Sequence, residues 1–110
     1  MPAMPMPGQR AVPELDVDTE TRLAPLYHVV LLDDQEHTYE YVIEMVTELF
    51  RKSTETAFQH AVEVDKTGRT ILETCPLEKA ELKRDQIKGY GGDWRLSSVT
   101  SMQGLIERAD

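Results

Sequence analysis

The stretch from Tyr27 to Phe50, YHVVLLDDQEHTYEYVIEMVTELF, constrains the chain most. The run Val29-Val30-Leu31-Leu32 is apolar at consecutive positions, so both faces of a strand there are covered and the strand is central in its sheet. It stops at Asp33-Asp34. After a polar connection from Asp33 to His37, Tyr39, Val42, Ile43, Val46, Leu49 and Phe50 recur at the i, i+3, i+4, i+7 spacing of one helical face. Glu40, Glu44 and Glu48 mark the opposite face, and Thr38 is placed to cap the N-terminus. Two carboxylates therefore end a buried strand and face the start of a helix. A functional site is expected at that junction.

Around this unit the remaining elements follow in order. Residues 1–24 hold four prolines without an apolar period and read as a disordered extension. Ser53 or Thr54 caps a second helix over about Glu55 to Lys66, with Phe58, Ala61 and Val62 as its inner face and Gly68 as its stop. Asp65 lies four residues after Ala61, at the edge of the core, and near a helix C-terminus where the backbone dipole disfavours an anion. A second strand covers Arg69 to Thr74, and a third helix runs from Pro76 to about Lys88. Its apolar set of Leu77, Ala80, Leu82 and Ile87 is thin, so it shows a broad charged face. A third strand is expected from Leu96 to Met102, with a loose tail from Gln103. The order β-α-α-β-α-β predicts an α+β, two-layer sandwich: a three-stranded, mainly antiparallel sheet with three helices on one face. The domain spans residues 25–103, with a flexible tail over 104–110.

Charge and composition exclude several functions. With 20 acidic against 12 basic residues the chain carries a net charge of −8, which repels phosphate backbones and argues against nucleic acid. No apolar run approaches a bilayer span, and the N-terminus lacks the pattern of a secretory signal. The lone Cys75 rules out an internal disulfide and a multi-cysteine zinc site, so a reduced, cytoplasmic setting is expected and Cys75 is read as a packed thiol. No nucleophile–base spacing and no glycine-rich phosphate loop supports an enzyme, and no cofactor is expected. His28 and His60 are read as strand and helix-surface residues. One rival reading takes Asp33, Asp34, His37 and Asp65 as ligands for a divalent cation.

VVLLDD followed by HTYEYVIEMVTELF resembles the ClpS adaptor family, whose motif is a strand ending in Asn-Asp-Asp and then Thr-Pro-Met-Glu-Phe-Val. The likeness runs from Tyr27 to about Met102, through the Gly68 turn and Pro76-Leu77-Glu78-Lys79-Ala80-Glu81. It implies the fold of a ribosomal stalk protein's C-terminal domain, and an adaptor that binds substrates with a bulky apolar first residue and hands them to a Clp AAA+ unfoldase. Position by position, it implies α-amino binding by Asp33, Asp34 and Asp65. It also implies a side-chain pocket of Gln35, His37, Tyr39, Val42, Ala61 and Val64, with Ser98 opposite. Docking on the unfoldase's N-terminal domain falls on Glu78 and Lys83. Asp33 stands where the family has Asn, Asp65 where it has His, Ala61 and Tyr39 where it has Met. A monomer suits an adaptor. A member that docks on the unfoldase or another partner without reading N-terminal residues is the alternative.

Overall fold

The computed structural model describes residues 24–34, 36–96 and 100–110. The extension expected over residues 1–24 lies, but for Ala24, outside the described residues. Three strands form an antiparallel sheet in the order β2-β1-β3: β1 is Leu26–Leu32, β2 is Arg69–Pro76 and β3 is Gln103–Arg108. The helices are α1 (Tyr39–Phe50), α2 (Thr54–Thr67) and α3 (Leu77–Lys88), followed by a short 3-10 turn at Trp94–Leu96. This is the expected two-layer α+β sandwich.

The consecutive apolar run of β1 is explained by its central place. Val29, Val30 and Leu31 are all fully buried. Val29 and Leu31 join the helix-packed core. Val30 points to the opposite face, because side chains alternate along a strand. There Arg69 stands across from Leu32 and Glu107 across from His28, so the Arg69–Glu107 ion pair passes over Val30 from one edge strand to the other. A bulge in β2 shifts the register between Val29, paired with Glu73, and Val30, paired with Ile71.

Thr38 caps α1 as expected, its hydroxyl accepting from the Tyr41 amide at 3.1 Å. Ser53 caps α2 by accepting from the Thr56 amide, and Gly68 ends it at φ 88°, a conformation that favours glycine. The inner face of α2 is rotated from the expected one. Ala57, Ala61 and Val64 are buried, whereas Phe58 is 48% exposed and Val62 half-buried. In α3 only Ala80 and Ile87 are buried, and Leu77 and Leu82 face solvent. His60 is not a surface histidine: it is half-buried, and its Nδ1 pairs with the Thr70 hydroxyl at 2.8 Å.

The C-terminal part departs most from expectation. The third strand is not Leu96 to Met102, and Gln103 onward is not a tail. Leu96 closes the 3-10 turn, and β3 pairs six residues with β1, from Leu32↔Gln103 to Tyr27↔Arg108. The Ala109 amide donates to the Leu26 carbonyl beyond them. Gly104 allows this strand to slide under α3: a Cβ there would sit 3.0 Å from Ile87 Cδ1 and 3.3 Å from Ile87 Cβ. A Cβ at position 104 would crowd the Ile87 side chain, which would have to give by a few tenths of an ångström.

Candidate functional site

The end of β1 is stitched to the turn after α2. The Asp33 amide donates to the Gly68 carbonyl at 3.0 Å, which brings Asp33 beside Asp65 in the last turns of α2. Between these carboxylates and the first turns of α1 lies a cavity of about 230 Å³. Val42, Ala61 and Val64, all buried, form its apolar floor with Met102. Asp33, His37, Thr38, Tyr39 and Asp65 complete its walls. The junction picked out by the sequence is therefore a concave site with an acidic rim.

Tyr39 and Asp65 are joined across this rim, the phenol donating to Asp65 Oδ2 at 2.7 Å. That bond, with desolvation and the nearby charges of Asp65 and Asp33, raises the phenol's pKa above its ordinary value, so it stays a neutral donor. The Tyr39 ring meets Phe58 of α2 edge-on, with centroids 6.0 Å apart.

Asp34 does not line the cavity. Its carboxylate accepts from the Glu36 amide at 3.0 Å and from His37 Nδ1 at 2.9 Å. His37 Nε2 faces the Thr100 carbonyl at 2.9 Å. Both nitrogens meet acceptors, and a ring that donates at both is an imidazolium. Burial, the largest single influence, lowers the pKa of His37. The bonds to Asp34 and Thr100 and the charges of Asp34 and Asp93 outweigh it, and the net shift is upward. The ring is 1% exposed and lies over Tyr41 at 4.4 Å. His37 is thus a wall of the cavity and a latch between the β1–α1 connection and the segment leading into β3.

Residues 22–93 match the family model described as ATP-dependent Clp protease adaptor protein ClpS. The chain belongs to the ClpS family. Among its relatives, the Clp protease adapter protein of Nautilia profundicola is 35% identical over 66 residues, 60% of this chain and 68% of that protein. The one from Burkholderia mallei is 36% identical over 70 residues, 62% of this chain and 67% of that protein. The structure of Agrobacterium tumefaciens ClpS2 bound to L-phenylalaninamide superposes with a TM-score of 0.67 at 23% identity. It covers 76% of this chain and 96% of that one, a likeness of fold. Among the described residues no helix is long and apolar enough to cross a membrane.

The other positions that the ClpS resemblance singled out are distributed differently. Gln35 and Ser98 lie outside the described residues. Glu78 is exposed on the first turn of α3. Lys83 is half-buried, its ammonium donating to the Leu49 carbonyl at the end of α1 and lying 5.2 Å from the Phe50 ring centre. It satisfies an orphan carbonyl of α1, a structural task the charge pattern did not disclose. Cys75 is buried, and burial pushes its thiol pKa up, as suits an inert packed cysteine. The cation rival gains no support. Among the described residues no group of three or more potential ligands is assembled, and both ring nitrogens of His37 are engaged.

Sequence reasoning missed Asp93. It is fully buried and accepts from the Thr38 amide (3.0 Å), the Thr38 hydroxyl (2.8 Å), the Arg95 amide (3.1 Å) and Arg95 Nη1 (3.2 Å). Arg95 also pairs with Glu44 on α1. This network fixes the start of α1, and so the Tyr39 side of the cavity. An aspartate after two glycines gave no signal beyond that of a turn.

Proposed function

We propose that this ClpS-family adaptor binds the free N-terminus of substrates whose first residue is bulky and apolar, and delivers them to a Clp AAA+ unfoldase. One observation carries the reading: carboxylates of Asp33 and Asp65 stand at the rim of a cavity floored by Val42, Ala61 and Val64. An α-ammonium would meet the rim and the adjoining side chain the floor. Charge-assisted hydrogen bonds to carboxylate are the stronger kind, so Asp in place of Asn and His keeps the site suited to a cation. The ligand of the Agrobacterium tumefaciens structure, L-phenylalaninamide, has this combination of free amine and apolar side chain. Asp34 serves behind the rim, by holding His37.

The test is fluorescence anisotropy with peptides beginning with Leu, Phe, Tyr or Trp, each beside its N-acetylated twin. Removing the ammonium forfeits a charged hydrogen bond, and affinity falls by about 10- to 100-fold. Equal binding of the twins overturns the reading and leaves the alternative, a ClpS protein that docks without reading N-termini.

Docking falls on the exposed face of α3, with Glu78 as the contact. Glu78→Lys is expected to abolish pull-down of a Clp unfoldase N-terminal domain without lowering Tm. Undiminished pull-down places the contact elsewhere. Lys83 is unsuited to this test, because its replacement also removes the bond to Leu49.

A further inference from the structure

Asp65 is a carboxylate in an unfavourable place. It lies two residues from the C-terminal end of α2, where the backbone dipole opposes negative charge. Among the described residues, Tyr39 is the one hydrogen-bond partner of its side chain, and that bond uses Oδ2. Oδ1 is left for a guest. The phenol comes from the first residue of α1, and that helix start is fixed in turn by the bonds from Thr38 to buried Asp93. A rigid element thus presents a donor to a side chain that would otherwise be free to turn into solvent.

We propose that Tyr39 is the positioning residue of the amine site. Its hydroxyl holds one oxygen of Asp65, so that the other is preoriented for the incoming ammonium. The inference rests on the amine-binding reading above and adds a division of labour to it: Tyr39 acts through Asp65. Preorganisation of this kind lowers the entropic cost of binding. It concerns the hydroxyl alone, and Phe in place of Tyr keeps the ring against Phe58 while deleting the donor.

The experiment is a double-mutant cycle on the full chain, with Tyr39→Phe, Asp65→Asn and the double variant. The probes are a fluorescein-labelled peptide with a free N-terminal leucine and its N-acetylated twin. Tyr39→Phe is expected to weaken the free-amine peptide by about three- to tenfold, less than loss of a direct charged bond because the hydroxyl acts only through Asp65, and to leave the acetylated twin unchanged. Asp65→Asn weakens the free-amine peptide further, and the double variant binds no more weakly than Asp65→Asn alone. A neutral Tyr39→Phe, losses that multiply in the double variant, or equal weakening of both peptides overturns the proposal. The last result would mark a merely structural contact between α1 and α2. Failure of the underlying reading looks different: the wild-type chain itself then fails to tell free from acetylated peptide.

Discussion

Asp93→Ala is expected to lower the stability of the domain by about 3 kcal/mol, the scale of breaking a buried charge pair. Four donors converge on this carboxylate, and it has no exposed surface. Alanine leaves the Thr38 amide, the Arg95 amide and Arg95 Nη1 without their acceptor and loosens the start of α1. For a domain of this size the melting temperature falls by on the order of 15 °C. Thermal denaturation followed by circular dichroism reads this directly, with Glu44→Ala as the contrast. Glu44 binds the other end of Arg95 from a more solvated position, so its loss costs under about 1 kcal/mol. A loss below about 1 kcal/mol for Asp93→Ala contradicts the account. Burial is the largest influence on the Asp93 carboxyl and pushes its pKa up, but the bonds from Thr38 and Arg95 bring it down to about 2. A depressed carboxylate stabilises above its unfolded value of 3.8, and the contribution disappears as pH falls through about 2. The same network therefore predicts an acid limit to stability.

Where local pattern and tertiary packing agree, the fold was legible. The Val29–Leu32 run, the Thr38 cap and the Gly68 stop each express backbone chemistry that neighbouring residues decide, and each stands where expected. The third strand was not legible for a physical reason. Leu96 looks like strand material by composition, whereas Gly104 looks like a breaker. Gly104 packs in the strand against Ile87, whose side chain a Cβ there would crowd, a fact about α3 rather than about the strand itself. The same limit holds at the site. The strand end at Asp33 facing the start of α1 was readable from the residues, whereas its pairing with Asp65 followed only from the ClpS resemblance. That Asp34 turns back to His37, and that Lys83 caps α1, depends on partners between 3 and 34 positions away. Asp93 is the extreme case: its nearest sequence neighbours are glycines and a Trp that is 76% exposed, yet it is buried completely.

Raising the pH above 6.5 and through the folded pKa of His37 is expected to weaken both the fold around the cavity and the binding it supports. Its two nitrogens face Asp34 and the Thr100 carbonyl, and Asp93 adds a further negative charge nearby. The neutral ring has one N–H, so one of those acceptors must then face a lone pair. Because the folded pKa is raised above 6.5, the stabilisation is fully present below 6.5 and is lost as pH rises through the folded value. Together with Asp93 this places the contribution of both groups at its fullest between about pH 4 and 6.5. His37→Gln keeps one donor and cannot be charged. It is expected to cost about 1.5–3 kcal/mol at pH 6, the scale of a charged hydrogen bond, and less at pH 9. Urea denaturation at several pH values measures that difference, and an NMR titration of the His37 ring reads its pKa. A midpoint below 6.5 contradicts the two-acceptor geometry. Peptide binding titrates twice, since the guest's own α-amino group loses its proton near pH 8. The His37→Gln variant separates the two steps: its affinity for a free-amine peptide retains only the guest's titration, while the wild-type chain loses affinity through both. Parallel pH profiles for the two proteins would remove His37 from the binding site and leave it as a latch of the fold alone.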